Sequence, residues 1–275
     1  MGVLWLFWLG SLGALSTLEL DVAVRAARAA AEIHRDLKGS DLQIRTKSTD
    51  IDLVTRADTA SEAAIVEILL AAFPQDGILG EEEGQRHGSS GRRWIVDPLD
   101  GTLNYAHGFP WYCVSIALEV DGVIEVGVVL DSVHNELFTA QRGAGAHRNG
   151  QPMSVSGCQQ LSEGMLATGF PYKREWMAEN VATFAWMMPK VRAIRRPGAA
   201  ALDLASLAAG RLDGFWEIHL QPWDVAAGSL LIEEAGGRVT DLSGGSYPLG
   251  EKTIVASNGA IHEALLEALA AHTSQ

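Results

Sequence analysis

The chain lacks most of what would tie it to an oxidising compartment, to nucleic acid or to a bilayer. Its 275 residues hold two cysteines, Cys113 and Cys158. They form no CxxC pair and no disulfide framework, which points to a reducing compartment and so to the cytoplasm. Cys113 lies in the apolar run WYCVSIAL, where a small core residue is expected rather than a nucleophile. Basic residues are short: 21 Lys and Arg against 34 Asp and Glu leave a formal net charge of −13. That is the wrong sign for a protein that grips a phosphate backbone. It still allows a small phosphorylated molecule, provided that metal ions bring the positive charge. No apolar run reaches the ~20 residues of a membrane span. The longest candidate, MGVLWLFWLGSLGALS, has no Lys or Arg ahead of it, as a secretory n-region requires. Residues 1–16 therefore read as an apolar extension with no folding role. Export through cleavage at Ala14-Leu15-Ser16 is the alternative. Internal repeats and low-complexity linkers are also missing.

What remains is a globular balance of 47% hydrophobic and 20% charged residues, over a length that suits one large domain or two ordinary ones. TLELDVAVRAARAAAEIHRDL, from Thr17, has apolar residues at helical spacing. So does TASEAAIVEILLAAF, with Thr59 or Ser61 at its cap and Pro74 beyond its end. Between them KGSDLQIRTKSTDIDLVTRAD breaks the period and reads as an extended loop with short strands. YCVSIALEV and VIEVGVVLD are joined by Asp121-Gly122, a hairpin signal. ELFTAQRGAGAHRNGQPMSVS continues as strands and turns, and no strand-to-helix crossover follows Gly143-Ala144-Gly145, which excludes a dinucleotide loop. From about residue 158 strand and helix patterns alternate. The fold class expected is α/β with an α+β N-terminal half over residues 17–153 and an α/β half over residues 154–275. The halves should pack tightly across a seam near residues 150–158.

Three short stretches place carboxylates at the ends of apolar strands or the starts of helices: Gly80-Glu81-Glu82, Asp97-Pro98-Leu99-Asp100-Gly101-Thr102 and Trp223-Asp224. Such positions are where an α/β scaffold presents a site. Each has a plainer explanation: a solvated turn at the glutamates, a turn before proline at Asp97, a helix cap at Asp224. Together they offer oxygen ligands from several segments, as a hard cation such as Mg²⁺ requires. An Asp-Pro-Leu-Asp turn can aim both carboxylates and the Leu99 carbonyl one way. Gly101 and Thr102 can offer N–H groups to an anion, above all where Thr102 opens a helix. Cations beside anion-binding amides describe a phosphate site, whose generic chemistry is metal-assisted hydrolysis.

GEE, WIVDPLDGTLNY and PWDVAAGSLLIEEAGG resemble the signatures of the inositol monophosphatase family, within the wider group that includes fructose-1,6-bisphosphatases. DLVTRADTASE, ATGFPYKR and GAAALDLASLAAGRLDGFWEIHLQPWD extend the likeness over nearly the whole chain from about residue 18. It is strongest to bacterial inositol-1-monophosphatases. The resemblance implies a layered α-β-α-β-α sandwich, a homodimer, frequent inhibition by lithium, and roughly two or three Mg²⁺ ions per site.

Matched motif to motif, Glu81, Asp97, the Leu99 carbonyl, Asp100 and Asp224 become metal ligands. Asp58 and Thr102 become the pair that orients the attacking water, with Glu82 beside the first metal. Thr102 is a poor base alone and needs Asp58 to accept its hydrogen bond. Gly101 and Thr102 would hold the phosphate, while Asp100, Ala200 and Glu217 would face the alcohol. Lys47 matches a mobile segment that closes over the site, although a loop lysine is most often simply solvated. His219 has no second histidine at ligand spacing and reads as a structural or rim residue. One departure is Ala199, where many bacterial relatives carry a hydroxyl residue; it leaves the alcohol open and the metal chemistry untouched.

The implied activity is Mg²⁺-dependent hydrolysis of inositol monophosphate by in-line attack of a metal-activated water, with no covalent intermediate. Histidinol phosphate and fructose 1,6-bisphosphate are alternative substrates, and Arg195-Arg196 could hold a second phosphate. No specific likeness to 3′-phosphonucleotidases is present. The alternative from another class is a regulatory binding role with the transcription or ribosome machinery, through a basic protein partner rather than direct contact with RNA.

Overall fold

The structure is a computed structural model and describes residues 17–47, 49, 53–251 and 253–273. The reading of residues 1–16 lies outside the described residues.

Apolar residues at positions 22, 23, 26, 27, 30 and 31 recur at the helical period. They form the buried stripe of α1 (Thr17–Leu37), and its alanines let the helix lie close to its neighbours. Helix α2 (Arg56–Ala72) packs beside it, Ile65 and Leu69 facing the same core. Its cap is Thr55, not Thr59 or Ser61. The Thr55 hydroxyl accepts the Ala57 N–H at 3.1 Å, and the Asp58 carboxylate accepts the Thr55 N–H at 2.7 Å. This reciprocal capping box satisfies donors that a helix N-terminus leaves orphaned, so the helix begins a turn earlier than apolar spacing suggests.

Both helices cover one face of an eight-stranded sheet. In spatial order its strands are Gln151–Pro152, Ala146–Arg148, Glu136–Gln141, Val123–Asp131, Cys113–Val120, Arg92–Asp100, Gly77–Gly80 and Gln85–Arg86. Gly77–Gly80 runs parallel to Arg92–Asp100, and the other neighbours are antiparallel. Alternation sorts the side chains: Trp94, Val96, Val114 and Ile116 face α1 and α2, while Ile95, Cys113, Ala117 and Phe138 face the other way. The Asp121-Gly122 hairpin has φ of 50° and 84° at its two turn residues, the left-handed pair of a type I′ turn.

The short α3 (Thr102–Ala106) follows the strand Arg92–Asp100, and α4 (Arg174–Met187), α5 (Ala200–Ala208), α6 (Pro222–Glu234) and α7 (His262–Thr273) follow later. A second sheet has the order Ala193–Arg195, Met165–Thr168, Gly214–Ile218, Thr253–Ser257, Arg238–Thr240. Helices α5 and α6 lie between the two sheets, with Leu204, Val225, Leu230, Phe215 and Ala256 in one continuous core. Leu166, Trp216 and Val255 point outward, against Met187 of α4 and Leu265 and Leu269 of α7. The layers therefore run helix, sheet, helix, sheet, helix. Fully buried side chains such as Trp94, Trp216, Phe138 and Phe215 each contribute about 1.5–3 kcal/mol to holding them together. Among the described residues no helix is long and apolar enough to cross a membrane.

Asp97 to Asp100 is not a turn: the strand runs through from Arg92 to Asp100 with a bulge inside it. The pleat tolerates Pro98 there because proline has no N–H to donate, and a bulge asks for none.

Candidate active site

The bulge sets the geometry of the acids. In a regular strand Asp97 and Asp100, three residues apart, would point to opposite faces. Here Asp97 pairs with Ser115 and Asp100 with Cys113, so three steps on one strand meet two on its partner. The extra residue reverses the alternation and turns both carboxylates toward α5 and α6. Asp97 is 2% exposed and Asp100 8%. Asp100 Oδ2 accepts the Ala201 N–H at 2.7 Å at the start of α5. Ala199, the N-cap there, makes no side-chain cap bond, so this carboxylate from another element satisfies the orphan donor.

Glu81 and Asp224 bring two more carboxylates. Asp224 is the third residue of α6; its Oδ2 caps the helix by accepting the Gln221 N–H at 2.6 Å. Burial, then the charges of Glu81, Asp100 and Asp224, pushes Asp97 well above the usual carboxylate range. Burial and the charges of Asp100 and Glu81 do the same to Asp224. Asp100 rises to about 6, burial outweighing its bond from Ala201. These buried groups repel one another and are short of positive charge.

Lys47 supplies one cation at the edge. Its Nζ lies 2.8 Å from Glu81 Oε1 and also bonds Glu82. Burial would lower this ammonium, but Glu81 and Glu82 outweigh it and raise it. Glu82 itself is pushed to about 7 by burial, against the pull of Lys47. Glu62 was not singled out from sequence, yet it holds this loop in place by accepting the Glu82 N–H at 2.9 Å and the Glu83 N–H at 2.7 Å. The available signal was its spacing, four residues after Asp58 and so on the same helix face.

Thr102 opens α3, and its Oγ1 lies 2.7 Å from Asp58 Oδ1 and 3.0 Å from the Leu99 carbonyl. Asp58 is fully buried; its other oxygen accepts the Thr55 N–H and hydroxyl. Gly101 takes φ 92°, and a Cβ there would sit 2.9 Å from the Trp111 carbonyl oxygen. Only glycine fits that corner.

A cavity of about 320 Å³ opens from the acids toward the second sheet. Glu81, Asp100 and Asp224 line it, as do Ala200, Glu217 and Arg196. Glu217 is pushed to about 8 by burial and then by the charge of Asp203. Asp203 also escaped the sequence reading; its Oδ1 accepts the Trp111 indole N–H at 3.0 Å. His219 sits on the cavity wall with its ring stacked 3.9 Å from that of Trp176. Arg195 is exposed.

Among the described residues no three Asp, Glu, His or Cys side chains close on one point as a finished metal cage. The donors fit a different kind of site. Mg²⁺ keeps waters and substrate oxygens and takes only one or two carboxylates from the protein. All-oxygen, mutually repelling acids with raised proton affinity suit such an ion.

The sequence pattern of the inositol monophosphatase family matches residues 17–274. Nus factor SuhB of Pseudomonas aeruginosa is 44% identical over 261 residues, 92% of this chain and 96% of its own. Among solved structures, the inositol monophosphatase of Anabaena (Nostoc) superimposes with a TM-score of 0.84 at 43% identity, over 93% of this chain and 97% of its own. The extragenic suppressor protein SuhB of Bartonella henselae gives 0.86 at 43% identity, over 91% and 97%. With matches that span the acids, the Asp58–Thr102 pair and both sheets, the chain belongs to the inositol monophosphatase family.

Proposed function

We propose that the chain is a Mg²⁺-dependent phosphomonoesterase that hydrolyses inositol monophosphate. The observation that carries this reading is the bulge that turns Asp97 and Asp100 to one face, toward Glu81 and Asp224. Glu81, Asp97, the Leu99 carbonyl, Asp100 and Asp224 would hold the Mg²⁺ ions of the site between them, each ion taking one or two of the carboxylates. When bound, Mg²⁺ lowers the pKa of water and stabilises the leaving oxygen.

The chain's own groups do the rest. Asp58 holds the Thr102 hydroxyl proton, so that a Thr102 lone pair is free to accept from the attacking water. Glu82 lies beside Glu81 and shares Lys47 with it. Gly101 and Thr102 offer backbone N–H groups to the phosphate. Asp100, Ala200 and Glu217 line the cavity where the alcohol would sit. Burial raises Glu217 to about 8, which favours the protonated carboxyl that can donate to a sugar hydroxyl. Histidinol phosphate and fructose 1,6-bisphosphate are the rival substrates, and Arg196 on the cavity wall would favour a second phosphate. Homodimerisation and a cytoplasmic location belong to the same reading.

The test is phosphate release from these three esters with and without Mg²⁺. Mg²⁺-dependent turnover with the highest kcat/KM for inositol monophosphate supports the proposal, and no turnover of any ester by the folded chain refutes it. A second reading, a regulatory binding role with the transcription or ribosome machinery, is favoured by relatives that carry the name Nus factor SuhB. It predicts capture of a specific protein partner that persists when Asp97 is replaced.

A further inference from the structure

The bulge between Asp97 and Asp100 has a backbone cost. Pro98 and Leu99 fall between the pairs Asp97–Ser115 and Asp100–Cys113 and have no partner in the ladder register. Buried backbone groups must find partners elsewhere. Leu99 N–H donates to Asp97 Oδ1 at 3.0 Å, and the Leu99 carbonyl is the oxygen that the metal-dependent reading gives to the ion. Pro98 has no N–H, which leaves its carbonyl. That oxygen lies 3.0 Å from Nε2 of His34, a residue of α1, 64 positions away in sequence.

We propose that His34 is a positioning residue for the metal-ligating segment: its imidazole N–H holds the Pro98 carbonyl and so fixes the bulge that aligns Asp97 and Asp100. The inference rests on the metal-dependent reading above.

The surroundings settle the ring's tautomer. A carbonyl can only accept, so Nε2 carries the proton. Nδ1, 2.9 Å from Ser132 Oγ, then accepts from that hydroxyl. His34 is fully buried, and burial lowers it to about 4, which leaves the ring neutral with a single N–H. The same residue also grips the far side of the corner: the Tyr105 hydroxyl donates to the His34 main-chain carbonyl at 2.8 Å. Pro98 precedes Gly101 and Tyr105 follows it, so the end of α1 holds both arms of the corner at which Gly101 takes its left-handed φ.

A histidine serving only to fill the core would be replaceable by any apolar side chain of similar size. A positioning histidine would be replaceable only by a residue that keeps the N–H. The test compares His34→Leu with His34→Gln, whose amide retains a donor at similar reach. Mg²⁺ and Mn²⁺ binding are measured by calorimetry on the full chain without substrate, with circular dichroism and thermal unfolding alongside. His34→Leu should weaken metal binding about tenfold or more, the effect typical of losing a partner that orients a ligand. His34→Gln should recover most of it. Should His34→Leu fail to fold, Ser132→Ala, which removes the hydroxyl that holds Nδ1 and so frees the ring to turn from the Pro98 carbonyl, should weaken binding several-fold in a folded chain. Equal metal affinity in wild type, His34→Leu and His34→Gln overturns the inference and leaves the metal reading standing. So does a loss of stability in His34→Leu that leaves affinity unchanged. A wild-type chain that binds neither ion overturns both.

Discussion

Thr102 Oγ1 lies 2.7 Å from Asp58 Oδ1, although the residues are 44 positions apart and belong to different helices. The Asp58 carboxylate also closes the capping box of α2 by accepting the Thr55 N–H. A bond inside a helix cap thus fixes the orientation of the threonine. Asp58→Asn should lower kcat by about 10²–10⁴ with little change in KM, the loss expected when a proton acceptor is removed. Thr102→Ser should retain most activity, and Thr102→Val should match Asp58→Asn. Steady-state kinetics of the three variants check this; unequal behaviour of Asp58→Asn and Thr102→Val would break the pair.

Gly101 should tolerate no substitution. Its φ of 92° costs an L-residue about 1–2 kcal/mol, and a Cβ would meet the Trp111 carbonyl oxygen at 2.9 Å. Gly101→Ala is expected to lower the melting temperature and to cut kcat/KM at least tenfold. An Ala variant with wild-type values would show that the corner is free to relax.

Ala199 is the N-cap of α5 and is buried, and the Asp100 carboxylate already accepts the Ala201 N–H there. Ala199→Ser should therefore fall short of the ~1 kcal/mol that a side-chain cap adds at a free helix start, with its effect on catalysis in KM rather than kcat. Denaturant unfolding measures the first and kinetics the second. A full cap's gain in stability would show that Asp100 leaves a donor free.

The pH dependence of the metal-free chain follows from the raised acids. Glu217 moves from an ordinary 4.5 to about 8 through burial and the nearby Asp203, and Glu82 moves from 4.5 to about 7. A carboxyl with a raised folded pKa stabilises the fold fully below its unfolded value and loses that contribution as pH rises through the folded value. The melting temperature in chelator should therefore fall from pH 5 to pH 8, each such group contributing at most about 1.4 kcal/mol per pH unit. Glu217→Gln should flatten that slope. Mg²⁺ should raise the melting temperature more at pH 8 than at pH 5, because its ligands must be deprotonated. A flat profile in chelator would mean that the acids are not strained.

Much of the architecture was legible because it is periodic or local. The helical stripe of α1, the Asp121-Gly122 hairpin and the strand–helix alternation after residue 158 each sit in a few consecutive residues. Two local readings failed for local reasons. Thr55 won the cap of α2 because Asp58 answers it, and Asp97 to Asp100 stayed in the sheet because a bulge absorbs the proline. The acids themselves could be read as candidates from their places at strand and helix ends. Their supports could not. Glu62 under the Glu82 and Glu83 amides, Asp203 on the Trp111 indole and His34 on the Pro98 carbonyl are contacts across 20 to 92 positions, whose partners no local pattern names.

The most direct measurement pairs Mg²⁺ binding with phosphate release from inositol monophosphate in the wild type and in Asp97→Asn. Asn is nearly isosteric and removes one of four mutually repelling carboxylates, so the variant should fold with equal or greater metal-free stability. The account predicts that Mg²⁺-dependent hydrolysis falls about a thousandfold and that Mg²⁺ no longer raises the melting temperature. Hydrolysis at the wild-type rate by folded Asp97→Asn would contradict it.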